Sequence, residues 1–418
     1  MNAVSVWRRV RASNMAVQAI GPVCGFLTVL AIARLGGASA QGEFAQVKAW
    51  VELLVVVGCF GFPQSFVYVI NRLGASARSL AWLSMGYSLA FVPVAVAITL
   101  LVLALGLVQL DARMPVLVLL SLTAGLFVLH GLWRGVFLTT GREMGFAVFS
   151  ILPPVTLLAC VGAAFLAGHR GWGEVFVLSA ALSALGALTL LWPVLSRPRV
   201  PTAPLPWNAL VANGTHSFVQ ALLLVAQPLL AYALIRGQGG DEAHIGWFNA
   251  GVFLVQGLSV PISMVSPLLF AHWTSTDDAS RMARLNAATP RWLGGGMLLG
   301  LLLAALAWVG VPLLFGAGYE AASPLAAVMM LSLPLTCHGR LIAPALHAHD
   351  HPMANSVAGV LRLVSLWGLS QGLIACGVGP LPAVSLGWAL SETLGSGWVL
   401  LRLHQLVQQQ APAAEAAR

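Results

Sequence analysis

Apolar runs of roughly 20 residues recur from one end of this sequence to the other, and they constrain its fold more than any other feature. A run of about 20 apolar residues lets a helix cross the hydrocarbon core of a bilayer. Of the 418 residues, 59% are hydrophobic and 8% are charged, whereas about a quarter of a soluble chain is charged. In lipid, every backbone group must be hydrogen-bonded within the protein. We therefore predict an all-α, polytopic membrane protein.

The apolar runs predict about twelve transmembrane helices. They cover residues 13–34, 44–70, 80–108, 115–138, 144–167, 173–195, 208–234, 245–271, 291–315, 321–346, 353–377 and 380–404. The Pro-rich connection "SRPRVPTAPLPW" (196–207) divides the chain nearly in half. We predict an N-terminal six-helix lobe at 1–195, a cytoplasmic linker at 196–207, a C-terminal six-helix lobe at 208–405 and a cytoplasmic tail at 406–418.

The formal charge of +8 is explained by membrane topology, so we expect no nucleic-acid partner. Arginines cluster in alternate connections, and the positive-inside rule makes the arginine-rich side cytoplasmic. Both termini are then cytoplasmic. The residues that define this side are Arg8, Arg9, Arg11, Arg72, Arg78, Arg142, Arg197, Arg199, Arg281, Arg284, Arg291, Arg402 and Arg418.

The two halves of the chain repeat each other weakly. An offset of 204 residues aligns span two with span eight, matching Gly42 to Gly246 and Phe44 to Phe248. An offset of 199 residues aligns span one with span seven, each with a small or polar stripe at helical spacing. Six spans per lobe makes the repeats parallel, a known transporter plan. The stripes are Asn14, Gln18, Gly21, Gly25 and Thr28 in span one, and Asn213, Ser217, Gln220, Leu224 and Gln227 in span seven.

Ionisable residues inside a membrane are costly and usually face a bundle interior or a wet cavity. Lys48, the only lysine, and Glu52 share one face of span two. Arg362 and Glu392 lie nearer mid-bilayer, where they form either a buried ion pair that fixes packing or a functional site, which would be a proton or ion site or a contact with an anionic head group. The other ionisable residues within spans are His130, Arg134, His216, His338 and Arg340, and the two arginines also suit interfacial anchoring.

No motif indicates an enzyme. The sequence has no P-loop and no Ser/His/Asp or paired-carboxylate constellation. The five cysteines are scattered through apolar segments and none has metal-ligand spacing. We therefore expect a non-enzyme with no metal site and no cofactor. Coupling to H⁺ or Na⁺ is left open.

Three stretches resemble signatures of the oligosaccharidyl-lipid flippases. They are "ARLGGASAQGEFAQVKAWVELLVVVGCFGFPQSFVYVINR", "HIGWFNAGVFL" and "LFGAGYEAASPLAAVMMLSLPL". The first loop departs from the family, which usually has glycine-proline and an acidic residue where this chain has "GGASAQGE". The residues that carry the resemblance are Ala33, Arg34, Leu35, Gly36, Gly42, Phe44, Ala45, Gly61, Pro63, Phe315, Gly316, Tyr319, Ala322 and Pro324.

The chain is thus similar to the Wzx-type branch of the multidrug/oligosaccharidyl-lipid/polysaccharide exporter superfamily. This resemblance implies two pseudo-symmetric six-helix lobes around a central cavity. It also implies alternating access that moves an undecaprenyl-pyrophosphate-linked oligosaccharide, a repeat unit of O-antigen, capsule or exopolysaccharide, across the bacterial inner membrane. The partners would be membrane lipids, a glycan polymerase and glycosyltransferases.

Two functions stay open, because a multidrug or metabolite exporter of the same superfamily would share the fold. An anionic, glycan-bearing substrate calls for cations and amides in the cavity, whereas cationic drugs call for carboxylates and aromatics. The candidate cavity residues are Asn14, Gln18, Arg34, Lys48, Glu52, Asn213, Gln220, Gln227, Gln256, Arg362 and Glu392.

Overall fold

The computed structural model is helical throughout the part of the chain that it describes. That part comprises residues 12–104, 114–139, 143–169, 171–196, 206–274, 279–348 and 353–416. Within these ranges there are helices and turns but no strand. The helices are α1 (Ala12–Cys59), α2 (Phe62–Leu73), α3 (Ala77–Ala104), α4 (Met114–Leu138), α5 (Glu143–Leu166), α6 (Trp172–Leu195), α7 (Trp207–Gly237), α8 (Glu242–Thr274), α9 (Ala279–Phe315), α10 (Ala322–Ala348), α11 (Met353–Ala375) and α12 (Pro380–Ala416), with a 3₁₀ turn at Ala317–Tyr319.

Ten helical segments among the described residues are long and apolar enough to cross a membrane. One of them, Val17–Leu73, is 57 residues long and covers the first two predicted spans. The last predicted span, 380–404, lies within α12 but is not among the ten, because Glu392 and several serines lower its hydropathy. The prediction of an all-α, polytopic membrane protein is confirmed.

The prediction of a single helix over 44–70 is wrong. Helix α1 ends at Cys59 and α2 begins at Phe62. Between them Phe60 and Gly61 have φ values of 45° and 70°, in the left-handed region that ends helices. Pro63 then occupies the first turn of α2, where its missing N–H costs nothing. The apolar pattern continues across this break, so hydropathy gave no sign of it.

The connection expected between spans one and two is also helical. Helix α1 runs through it and is interrupted only at Gly37, which has φ 78° and ψ −175°. Glycine adopts this conformation readily because it has no Cβ. At the other end of the chain, α12 continues to Ala416 and so includes most of the predicted tail.

Contacts divide the chain into two compact units. Unit 1 comprises Met1–Gly36 and Glu43–Leu229, and unit 2 comprises Gly37–Gly42 and Leu230–Arg418. The lobe boundary predicted at the linker stays a prediction, since most of the linker lies outside the described residues.

Unit 1 has a large apolar core formed by residues of α1 to α7. Trp50 and Trp133 are its largest fully buried side chains. Each indole N–H is satisfied: Trp50 donates to Thr99 Oγ1 at 3.2 Å, and Trp133 donates to the Ala81 carbonyl at 3.0 Å. The core therefore buries its aromatic rings without leaving these two donors unpaired.

Unit 2 is built around α10, which contacts α8, α9 and α12, while α11 packs on α12. A small apolar cluster includes Ile342, Ala358 and Leu403. Small residues bring the helices close: a Cβ on Gly339 would lie 3.1 Å from Ser396 Oγ. Close approach at small residues is how membrane helices gain packing energy.

Candidate functional site

Lys48 and Glu52 form an ion pair on α1 of unit 1. The Lys48 Nζ lies 2.5 Å from Glu52 Oε1. The two side chains are 41% and 47% exposed, although Ala49, Trp50 and Val51 beside them are buried. Charges that face hydrocarbon are costly, so this face of α1 is suited to a polar, water-containing space. The pair can offer a cation to an anionic group.

The two polar stripes differ in burial along their length. Gln18 and Gln220 are half-buried, Asn213 is exposed and Gln227 is 2% exposed. The Asn213 Nδ2 donates to the Ala209 carbonyl of its own helix at 2.8 Å. A buried amide such as Gln227 suits helix packing, whereas the side chain of Asn213 is exposed. The side chains of Asn14 and His216 lie outside the described residues.

Arg34 and Gln256 are exposed polar side chains on two different helices. Arg34 lies three residues before the kink in α1, and Gln256 lies in the middle of α8. Gln256 is the repeat counterpart of Glu52 at the 204-residue offset. Position 256 of unit 2 is therefore polar, like position 52 of unit 1, but it carries no charge.

Arg362 and Glu392 meet in unit 2, as their depth in the membrane predicts. The Arg362 Nε lies 3.3 Å from Glu392 Oε2. This contact is an ion pair by distance, but within the described part of the chain the Arg362 Nε–H makes no hydrogen bond. Glu392 is 5% exposed. The two residues therefore lie within ion-pair distance, and their role in packing or in transport stays a prediction.

Two hydroxyl residues near this pair were not found from the sequence. Arg362 Nη2 donates to Ser396 Oγ at 3.3 Å, and Thr336 Oγ1 donates to Glu392 Oε2 at 3.4 Å. Ser396 is one helical turn after Glu392, a spacing that could have suggested it. Thr336 lies on α10, and no local pattern connects it to α12.

The other ionisable residues make separate contacts. Arg340 Nη1 donates to Ser259 Oγ at 2.6 Å, and His338 Nε2 lies 3.1 Å from Thr289 Oγ1. In unit 1 the ring of His130 stacks on Phe149. The guanidinium of Arg134 lies 5.6 Å from the ring centroid of Phe146, a cation–π distance. Each of these four side chains therefore contacts a residue on a neighbouring helix.

Polar contacts also gather in unit 2 where α8 begins. Arg236 pairs with Glu242, and Asp241 Oδ1 accepts the His244 backbone N–H at 3.0 Å. A hydrogen bond with the His244 side chain, together with the one from its backbone N–H, holds the pKa of the Asp241 carboxyl below its usual range.

The 3₁₀ turn contacts this region as well. Tyr319 donates its hydroxyl to Gln41 Oε1, and Trp247 Nε1 donates to the Gly318 carbonyl at 2.9 Å. Burial raises the pKa of Tyr319, so its hydroxyl stays protonated and can donate. Tyr319 belongs to the motif that carried the family resemblance, but its partner Gln41 was not predicted.

The fold is similar to that of several solved transporters. One is a multidrug resistance MATE family transporter of the MOP superfamily in an inward-facing conformation, with a TM-score of 0.75 and 13% identity over 95% of this chain and 99% of that one. Another is the lipid II flippase MurJ in an inward closed conformation, with a TM-score of 0.72 and 13% identity over 94% and 87% of the two chains.

A third similar structure is a MOP superfamily transporter from Pyrococcus furiosus, with a TM-score of 0.62 and 13% identity over 94% of this chain and 93% of that one. The sequence matches no protein-family model and no curated relative. At this identity the likeness shows the fold alone, and the fold is similar to those of these three transporters.

Proposed function

We propose that this chain is a flippase that moves an undecaprenyl-pyrophosphate-linked oligosaccharide across the bacterial inner membrane by alternating access. The observation that carries the proposal is the fold, which over 94% of the chain is similar to that of a lipid II flippase. Lipid II is itself a lipid-linked substrate, so the comparison supports one of that class.

The charges of unit 1 suit such a substrate. A pyrophosphate-linked glycan is anionic at the head group and rich in hydroxyls. Lys48 is exposed and can reach a phosphate oxygen, and Arg34 is an exposed cation on the same helix. Glu52 holds the ammonium group of Lys48 when no substrate is bound. The exposed amide of Asn213, which is also in unit 1, can bond to sugar hydroxyls.

Replacing Lys48 tests this assignment. A hydrogen bond to a charged group contributes about 1.5–3 kcal/mol, so Lys48→Ala should lower the initial rate of flipping about tenfold or more. The assay uses proteoliposomes with a fluorescent undecaprenyl-pyrophosphate oligosaccharide and a quencher that reaches one leaflet. Lys48→Arg keeps the charge and is the matched control. An unchanged rate in Lys48→Ala would remove Lys48 from the mechanism and leave it an interfacial anchor.

Replacing Glu52 tests whether its carboxylate only positions Lys48 or also carries the coupling proton. Glu52→Gln keeps the shape of the side chain but cannot ionise. If the carboxylate only holds Lys48, the substitution should reduce flipping less than Lys48→Ala does. If the carboxylate carries the coupling proton, flipping driven by a pH gradient should be abolished.

A multidrug exporter is the second candidate, because the MATE family transporter has a similarly high TM-score. The two functions differ in the charge of their substrates. Deleting the gene should abolish surface glycan and leave resistance to cationic drugs unchanged if the chain is a glycan flippase. Loss of drug resistance with normal surface glycan would favour the exporter.

We also propose that an H⁺ or Na⁺ gradient drives transport. Glycosyltransferases would act before transport, and a glycan polymerase would act after it. Proteoliposomes with each gradient imposed separately would identify the ion. Genes for glycosyltransferases beside this one would support the proposed substrate class.

A further inference from the structure

Arg134 is a charged side chain inside a membrane-spanning helix of unit 1. It lies on α4 within the candidate span Pro115–Leu138, and its side chain is exposed. In the part of the chain that the structure describes, its guanidinium contacts the ring of Phe146 but forms no ion pair and no hydrogen bond. Arginine has five N–H donors, so all five are available to a ligand.

Other cations within the spans are neutralised by carboxylates. Lys48 pairs with Glu52, and Arg362 lies within ion-pair distance of Glu392. No described carboxylate does the same for Arg134. A charge inside a membrane is costly without a partner, so a bound anion would stabilise this guanidinium.

His130 is a second group on the same face of α4 whose hydrogen bonding is incomplete. It lies four residues before Arg134, a spacing that puts two side chains on one face of a helix. The His130 side chain is 7% exposed, and its Nδ1 has no hydrogen-bond partner among the described residues. Buried polar atoms are normally bonded to protein, water or a ligand. One face of α4 therefore carries two neighbouring groups that an anion could satisfy.

Two aromatic rings of α5 hold these groups in place. The guanidinium of Arg134 lies 5.6 Å from the ring centroid of Phe146, and the ring of His130 stacks on Phe149 at 4.2 Å. Contacts with a ring face position a side chain without occupying its N–H donors. Arginine binds phosphate through two parallel hydrogen bonds. The arrangement is therefore suited to a phosphate or pyrophosphate group.

Contacts between helices show that the second half of α1 and α4 run in the same direction. A Cβ on Gly58 would lie 2.5 Å from Val128 Cγ2, and a Cβ on Gly135 would overlap the carbonyl oxygen of Pro63, at the start of α2. Later residues of α1 and α2 thus contact later residues of α4. Depth in the membrane can therefore be compared between these helices.

Arg134 and Lys48 lie at very different depths. Lys48 is ten residues before Gly58, and Arg134 is six residues after Val128. At 1.5 Å per residue, they are separated by about 24 Å along the helices. The hydrocarbon core is about 30 Å thick. The two cations of unit 1 therefore lie toward opposite surfaces of the membrane.

We propose that Arg134 and His130 form an entry site, which receives the pyrophosphate of the lipid-linked substrate from the cytoplasmic leaflet before it reaches Lys48. The inference rests on the proposed function, because it assumes a carrier with a pyrophosphate group. Arg142 follows α4, and the arginine pattern makes this end of the helix cytoplasmic. The charged head group of a substrate made in the cytoplasm arrives at this depth.

Binding of the carrier tests the entry site. The probe is fluorescent undecaprenyl pyrophosphate, and its dissociation constant is measured with purified protein in detergent. Arg134→Gln should raise this constant about tenfold, because the bidentate contact is lost. Arg134→Lys should recover part of the affinity, since lysine keeps the charge but not the paired donors. His130→Phe keeps a ring on Phe149 but removes the N–H, and should raise the constant about threefold.

Arg72→Gln is the matched control. It removes an exposed arginine of unit 1 from the side of the membrane that is predicted to be cytoplasmic. Its dissociation constant should equal that of the wild type. Equal constants for Arg134→Gln and Arg72→Gln would overturn the proposal, and an unchanged constant for His130→Phe would remove His130 from the site. Thermal unfolding in detergent checks that each variant is folded.

Flipping kinetics distinguish loading from later steps. Loss of initial binding raises KM and leaves kcat unchanged. Arg134→Gln should therefore raise the substrate concentration at half-maximal flipping about tenfold and keep the maximal rate of the wild type. A lower maximal rate at an unchanged half-maximal concentration would contradict a loading role.

An anionic phospholipid is the other ligand that an arginine at this depth could hold. Fluorescent phosphatidylglycerol is the second probe, and Arg134→Gln should bind it as the wild type does. Loss of phosphatidylglycerol binding with normal binding of the carrier would make Arg134 a lipid anchor and overturn the entry site. If the wild type neither binds nor flips the carrier, the proposed function fails as well. If the wild type does both and Arg134→Gln behaves like Arg72→Gln, the entry site fails and the proposed function stands.

Discussion

At the scale of single residues, two opposite charges of unit 2 are paired. Arg362 and Glu392 lie 3.3 Å apart within unit 2, and Thr336 and Ser396 supply hydroxyls to them. Burying a charge is tolerable when a partner and hydrogen bonds compensate for lost water. Removing only one member leaves the other buried without its counter-charge. This destabilises the protein more than removing both members does.

A double-mutant cycle should reveal this coupling. Glu392→Ala or Arg362→Ala should each destabilise the protein by about 3 kcal/mol, as breaking a buried ion pair does elsewhere. The double variant should recover part of that loss because no unpaired charge remains. Thermal unfolding in detergent measures the effect, and exposed Glu320→Ala is the control. Strictly additive losses would contradict the pairing.

Tyr319 offers a second prediction at this scale. Tyr319→Phe keeps the buried ring but removes the hydroxyl that donates to Gln41. Gln41 is then left with both ends of its amide unpaired, which costs about 1–3 kcal/mol. The melting temperature should fall, whereas Tyr68→Phe, which changes an exposed side chain, should leave it unchanged. Equal melting temperatures would show that the hydrogen bond contributes little.

At the scale of helices, glycines set how closely the elements of unit 1 pack. Gly58 lies on α1 opposite α3 and α4, where a Cβ would be 2.8 Å from Phe91 Cε1 and 2.5 Å from Val128 Cγ2. Both contacting residues are buried, Val128 completely. The side chains of these helices therefore have little room to move away.

Gly58→Ala should destabilise unit 1 by about 1–3 kcal/mol, the usual cost of overpacking a filled core. The matched control is Gly86→Ala on α3, where a Cβ would meet nothing within 4 Å and alanine is the better helix former. Unfolding in detergent, followed by tryptophan fluorescence, compares the two. Equal stability would mean that the helices shift apart without cost.

At the scale of the whole chain, the sequence predicts the helices better than their junctions. Runs of about 20 apolar residues identify spans because a bilayer requires that length. The break at Gly61 was missed because apolar residues continue on both sides of it. The contacts of Thr336 with Glu392 and of Tyr319 with Gln41 were missed because they join helices far apart in the chain, and only tertiary packing brings them together.

Topology is the property of the whole molecule that the arginine pattern predicts. Cysteines placed singly at Ser39 and Gln238, both exposed, should react with a membrane-impermeant maleimide added outside spheroplasts. Cysteines at Asn71, Ser76 and Met353 should react only after the membrane is opened, because arginine-rich connections stay in the cytoplasm.

These variants are made in a chain whose five native cysteines have been replaced by alanine, and labelling after membrane disruption gives each position its reference. Labelling of both sets from one side would contradict the alternation of spans. Labelling of the opposite set alone would invert the topology and place the arginine-rich connections outside, against the positive-inside rule.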